Sequence, residues 1–175
     1  HLDKLLHSSI VLEDPLNHQY AYERIYAGIT EYLAASRDSL NTLAIGGGGF
    51  TYPRWLETLW PASRTEVVEI DPAVTEAALR AFGLPANHGL LIHHEDGRAF
   101  LNGVLSRKRA GAPVAPYDFV YLDAVNDYSV PYQLTTVECV RTIDELLAPD
   151  GAFLMNMIDV FDVGRFLGSM VETLQ

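Results

Sequence analysis

Four consecutive glycines, Gly46 to Gly49, follow directly on the apolar run Thr42 to Ile45, and a second apolar run, Glu66 to Ile70, ends on Glu69 and Asp71. Few folds accommodate that order. A buried parallel strand carries the chain to a turn where glycines let the backbone approach a ligand, and an acid at the tip of the next strand accepts hydrogen bonds from both hydroxyls of a ribose. The pattern therefore points to a nucleoside bound at a Rossmann-like sheet. The dinucleotide form of such a loop needs a third glycine three residues after the second. Here Gly48 is followed by Gly49, Phe50 and Thr51, so the loop fits poorly beneath a pyrophosphate.

The rest of the chain repeats the same alternation. Strands are predicted at 42–46, 66–70, 90–93, 119–122 and 152–157, and helices at 53–59, 72–82, 97–106, 134–147 and 163–174. Strands separated by helices require crossovers, so the sheet is expected to be mostly parallel with helices on both faces. The beginning differs. Ser8 to Leu12 and Gln19 to Ile25 are short, partly alternating segments around the turn-like Glu13-Asp14-Pro15-Leu16-Asn17, which predicts a small β-hairpin followed by a helix from Ala27 to Ala35. The expected organisation is thus an N-terminal hairpin-and-helix extension over residues 1–40 and a Rossmann-like nucleoside-binding domain over residues 41–175.

Ligands in such sheets sit beyond the carboxyl ends of the strands. Gly46 to Gly49, Glu69 and Asp71, Glu95 and Asp96, Asp123, and Asn156 with Asp159 stand at those places. Any single acid among them serves equally well as a helix cap, Asp71 before Pro72 above all, but successive strand ends in glycine or carboxylate point to a site.

Composition narrows the classes. A formal charge of −11 disfavours phosphate-backbone binding, which needs clustered Lys and Arg, so no nucleic-acid partner is expected and a cationic small molecule fits better. The single Cys139 forbids an internal disulfide and suits a reducing, cytoplasmic setting. No metal is expected: His93 and His94 are adjacent on a strand end and point to opposite faces, so they do not join His88 and Glu95 as one ligand set. No G-x-S-x-G nucleophile elbow occurs.

The segments GGGGFTYPRWLE, VVEIDPAV, HEDGRAFL, YDFVYLDA and LAPDGAFLMN, in this order, resemble the spermidine synthase family, the polyamine aminopropyltransferases, on the fold of class I S-adenosylmethionine-dependent methyltransferases. DAVNDYSVPYQLTT and HSSIVLEDPLNHQYAYERIYA look more like a bacterial branch in which this domain often follows membrane-spanning segments. The start at His1 and the end within a helix at Gln175 are consistent with a piece of such a longer protein. The resemblance implies a co-substrate, decarboxylated S-adenosylmethionine or S-adenosylmethionine itself, an amine acceptor, and a homodimer as one assembly. It implies that Gly46, Gly47 and Gly48 lie against the methionine-derived part of the nucleoside, that Glu69 holds the ribose hydroxyls, and that Asp96, with Gly97 beside it, contacts the adenine amino group. It makes Asp123 the catalytic acid and puts Tyr20, Tyr22 and Glu23 near the acceptor.

Two positions depart from the family pattern. The fourth loop place usually carries an Asp that pairs with the donor's free amine, and here it is Gly49. The acid three residues after the catalytic one is here Asn126, with Asp127 next to it. Both changes remove negative charge where cations would bind, so the sequence predicts poor discrimination between the two donors, repaired by an acid at position 49. Two further readings stay open beside aminopropyl transfer: a methyltransferase on the same fold, and a non-catalytic nucleoside-binding domain of a membrane protein.

Overall fold

Five strands, β1 (Asn41–Ile45), β2 (Arg64–Val68), β3 (Leu91–His93), β4 (Tyr117–Leu122) and β5 (Leu147–Met155), pair in the order β3-β2-β1-β4-β5 in the computed structural model, which describes residues 8–125, 130–159 and 164–174. Every pairing is parallel. Parallel neighbours need crossovers, and α2 (Thr51–Leu59), α3 (Pro72–Ala81), α4 (Gly97–Arg109) and α5 (Val137–Leu146) supply them. Helix α1 (Ala21–Leu33) precedes the sheet and α6 (Phe166–Thr173) follows it. No helix among the described residues is long and apolar enough to cross a membrane.

The period-two alternation of the strands sorts the core into two layers. Leu43, Ile45, Val68, Val120 and Leu122 face one way and pack with Phe100, Leu101 and Val104 of α4 and Cys139 and Ile143 of α5. Phe119, Tyr121 and Leu154 face the other way, against Tyr26 of α1 and Trp55 and Leu56 of α2. Ala44 and Val67 meet Ala78 of α3 and Phe50 on that second face. The expected α/β sheet with helices on both faces is therefore present.

The expected hairpin is not. Residues 8–20 hold turns but no strand, and α1 begins at Ala21, six positions before the predicted helix start at Ala27. The aromatic and β-branched residues of Gln19 to Ile25 have strand propensity, and that local preference suggested alternation. Tertiary packing decides otherwise. Glu23, Tyr26 and Thr30, spaced three and four apart, form the buried stripe of a helix. The Thr30 hydroxyl lies 2.9 Å from the Tyr52 hydroxyl and 2.8 Å from that of Tyr121, which ties α1 to α2 and β4.

A polar cluster interrupts the apolar interior at Glu66 of β2, a residue only 4% exposed. Its carboxylate accepts from the Tyr117 hydroxyl at 2.6 Å and lies 2.8 Å from His93 Nε2, with Arg64 on the same oxygen as Tyr117. Burial alone would push the Glu66 carboxyl up, but the hydrogen bonds from Arg64, Tyr117 and His93 and the Arg64 charge hold it below its ordinary value. A carboxyl depressed on folding adds stability above its unfolded pKa, near 4.5, and loses it as the pH falls through the lower folded value. Glu66→Gln is therefore expected to flatten the acid limb of a plot of Tm against pH below about 4.5 and to cost on the order of 2 kcal/mol at neutral pH. Superimposable acid limbs for the two proteins would show that Glu66 is not the titrating group. His94 points away from this cluster, with Nε2 3.0 Å from the Thr75 hydroxyl.

Candidate active site

The order β3-β2-β1-β4-β5 places a topological switch point between β1 and β4, where the chain leaves the sheet in opposite directions and a crevice opens beyond the carboxyl ends. Gly46 to Gly49 follow β1 on one side of that crevice, and Asp123 follows β4 on the other. The two loops touch. Asp123 donates its amide to Ile45 O at 2.9 Å, and a Cβ built on Gly46 would sit 2.8 Å from the Asp123 carbonyl carbon.

The glycine loop turns through a left-handed backbone, with φ 99° at Gly46, 50° at Gly48 and 55° at Phe50. Phe50 adopts it without being glycine because its ring is wholly buried with Ala44, Val67 and Ala78. Glu69 closes the turn from beneath: Oε2 accepts from the Gly47 amide at 2.8 Å and Oε1 from the Asp71 amide at 2.9 Å. A carboxylate has about four acceptor positions, so two remain after both amides are served.

Among the described residues, Tyr22 and Asn156 donate to Asp123. The Tyr22 hydroxyl donates to Oδ2 at 2.6 Å and the Asn156 amide to Oδ1 at 2.8 Å. Burial and the neighbouring Asp123 charge hold the Tyr22 phenol protonated well beyond its ordinary range, so it stays a donor. Tyr20 stacks on Tyr22 with ring centroids 5.8 Å apart, and Tyr22 meets Tyr26 edge-on at 5.6 Å. Behind them Tyr52 contacts Tyr26, Trp55 and Tyr121. A cleft open to solvent lies between Tyr22, Tyr26, Tyr52, Tyr121 and the glycine loop, and its walls include Glu23, Asp123 and no Lys or Arg among the described residues.

The structure thus gathers Gly46 to Gly49, Tyr22, Glu23 and Asp123 around one cleft, with Glu69 under the loop. Asp96 stands at the start of α4, where Oδ1 caps the helix through the Ala99 amide at 2.9 Å and Oδ2 receives Gln133 at 3.5 Å. Gly97 is buried against Ile45, and a Cβ there would meet the Ile45 side chain at 2.6 Å, so its immediate reason is helix-to-strand packing. Asp71 caps α3 through the Ala73 amide, as its place before Pro72 allowed. Asn126 and Asp127 lie outside the described residues.

One expectation is corrected. A side chain at position 49 does not face an open donor site: a Cβ on Gly49 would meet the Phe82 ring at 2.9 Å and Ser8 Cβ at 3.0 Å. The α3 helix ends with Phe82 against the loop, and the Ser8 hydroxyl accepts from the Gly49 amide at 2.7 Å, so the space an acid would need is filled. Ser8, Tyr26, Tyr52 and Tyr121 were not legible as site residues. The spacing of Tyr22, Tyr26 and Thr30, four residues apart each time, is the signal for Tyr26, and reading that segment as strands conceals it.

No protein-family model matches the chain. It is 37% identical over 114 residues to the polyamine aminopropyltransferase of Vibrio vulnificus, a match covering 65% of this chain and 36% of that protein. A probable polyamine aminopropyl transferase of Bifidobacterium longum is 33% identical over 141 residues, 80% of this chain and 28% of that protein. Among solved structures, a probable spermidine synthase from Corynebacterium glutamicum superposes with a TM-score of 0.78 at 26% identity, over 94% of this chain and 57% of that one. The chain is a spermidine synthase-like relative of the polyamine aminopropyltransferases. This spermidine synthase-like chain spans about a third of the length of the curated aminopropyltransferases it matches, 36% and 28%. Its fold is the class I methyltransferase-like one, shared with human methyltransferase-like protein 13 at 24% identity and a TM-score of 0.67. An N-terminal histidine N-methyltransferase of Emericella nidulans is also similar, 36% identical over 116 residues, 66% of this chain and 19% of that protein.

Proposed function

We propose that the domain transfers an aminopropyl group from decarboxylated S-adenosylmethionine to a small polyamine acceptor. The observation that carries this reading is the clamped carboxylate of Asp123, facing the glycine loop across the switch point with Tyr22 and Asn156 fixing its two oxygens. The residues fit the donor nucleoside. The two remaining acceptor positions on Glu69 suit the two ribose hydroxyls, Asp96 Oδ2 suits the adenine amino group, and the side-chain-free surface of Gly46 to Gly48 suits the part of the donor nearest the sulfonium. Asp123 then orients the acceptor amine so that its lone pair meets the carbon next to the sulfur. A carbon–nitrogen bond forms, the carbon–sulfur bond breaks with its electron pair passing to a neutral thioether, and Asp123 takes the proton lost by the nitrogen.

Similarity to aminopropyltransferases of Vibrio vulnificus and Bifidobacterium longum supports this reading. The second reading is methyl transfer from S-adenosylmethionine, favoured by the histidine N-methyltransferase relative. Mass spectrometry of the acceptor separates them, since incubation with a diamine and decarboxylated S-adenosylmethionine yields a product heavier by an aminopropyl unit in the first case only. An inactive mixture that becomes active with S-adenosylmethionine and a methyl acceptor would replace the first reading by the second.

Glu69 offers a test of the nucleoside geometry. Glu69→Ala is expected to weaken methylthioadenosine binding by about 1.5–3 kcal/mol, the value of hydrogen bonds to a charged group. Tm should drop by a few degrees as well, because the Gly47 amide loses its acceptor. Unchanged affinity by titration calorimetry in the folded variant would remove Glu69 from the nucleoside site.

A further inference from the structure

Glu23 is the charged group in the cleft that the reaction just described does not use. Its residue is 2% exposed, and the carboxylate lines the cleft beside the glycine loop. One oxygen, Oε1, accepts from the Thr51 hydroxyl at 2.5 Å. The other, Oε2, has no hydrogen-bond partner among the described residues and stands 3.7 Å from His18 Nδ1, beyond hydrogen-bonding reach. A buried carboxylate oxygen left without a hydrogen-bond donor carries a desolvation cost, and its persistence calls for a ligand or a function.

The surroundings of Glu23 define what that ligand would be. Tyr22, Tyr26, Tyr52 and Tyr121 line the same cleft, and aromatic faces with a carboxylate form the environment to which a desolvated ammonium is attracted. The loop itself supplies no acid, and Phe82 and Ser8 close position 49 to any side chain that would. Thr51 opens α2 immediately after the glycine loop, so Glu23 is tied to the side of the cleft where the donor would lie. Asp123 stands across the cleft at the end of β4, tied to Asn156 after β5 and to Tyr22 of α1. A donor bearing a carboxylate next to its ammonium would bring a further negative charge toward Glu23 and Asp123, and the described walls hold no Lys or Arg to receive it.

We propose that Glu23 is the donor-selecting residue: it binds the primary ammonium at the end of the donor's chain and rejects a donor that carries a carboxylate beside that ammonium. The role rests on the nucleoside reading above and replaces the expectation that Gly49 leaves the two donors undistinguished.

Titration calorimetry on the 175-residue chain, with methylthioadenosine, decarboxylated S-adenosylmethionine and S-adenosylmethionine as probes, tests it. The wild-type protein is expected to bind the decarboxylated donor at least about tenfold more tightly than S-adenosylmethionine, the equivalent of about 1.4 kcal/mol. Glu23→Gln, which keeps the shape and the Thr51 contact, is expected to bring the two donors within about threefold of each other, chiefly by weakening the decarboxylated one. Methylthioadenosine has no ammonium and separates the two claims. If it fails to bind wild-type protein, the nucleoside reading falls. If it binds, yet the wild type shows no donor preference or Glu23→Gln keeps that preference, the role of Glu23 is overturned and the nucleoside reading stands. Should Glu23→Gln lose its fold by circular dichroism, the wild-type preference decides alone, and equal affinities overturn the proposal.

Discussion

Asp123→Asn is expected to lower turnover by roughly two to four orders of magnitude while methylthioadenosine still binds, because the amide keeps the size of the carboxylate but does not take a proton or carry the charge that orients an amine. The site makes the substitution more disruptive than a simple loss of charge. Asp123 accepts from both Tyr22 and Asn156, whereas an amide has one acceptor oxygen, so one of those donors loses its partner. The loss should fall on kcat more than on the apparent affinity for the donor. Single-turnover kinetics with saturating donor provide the check. A variant retaining more than about a tenth of wild-type turnover would exclude Asp123 as the proton acceptor.

Gly46→Ala is expected to reduce stability by on the order of 3 kcal/mol, the combined scale of left-handed strain in a residue with a side chain and of a rigid overlap in a packed region. Its φ of 99° is one that side-chain-bearing residues rarely adopt, and the new Cβ would press on the Asp123 carbonyl, a backbone group that has no rotamer to escape into. For a chain of this size that loss corresponds to a drop in Tm of about 10 °C. Gly28 provides the contrast. It lies in α1 with nothing within 4 Å of the place a methyl would take, so Gly28→Ala should leave Tm unchanged or raise it slightly. Melting curves of the two variants side by side check the comparison. A Gly46→Ala protein that melts with the wild type would mean that the loop relaxes freely and that the contact between the two strand ends is not a constraint.

Both expectations concern the place where β1 and β4 part, and that place was legible in the residues because its requirements are local. Four glycines after a buried apolar run admit few backbones, and acids at strand tips follow from where parallel strands end. The Asp71 and Asp96 caps were readable for the same reason, each being an acid directly before a helix. Segment 19–25 reads as a strand because a short stretch rich in Tyr and Ile fits either secondary structure, and only the partner surface, here Tyr52 and Tyr121, selects the helix that starts at Ala21, while segment 8–12 forms neither strand nor helix. Position 49 fails differently. The missing acid is visible in the sequence, but Phe82 and Ser8, distant along the chain, decide that no side chain fits there.

The sequence by itself determined the alternation of strands and helices, the side-chain-free loop, and the acids available at Glu69, Asp96 and Asp123, since each follows from periodicity or from the conformational range of a few adjacent residues. Only the tertiary structure decided which of those groups meet and what they face. Helix α1 carries Tyr22 onto Asp123 across 101 positions of chain, and Glu23 onto Thr51 across 28. Such contacts depend on how a helix docks on the second face of the sheet, a choice made by the summed burial of Tyr26, Thr30 and the rings around them and not by any residue's own preference.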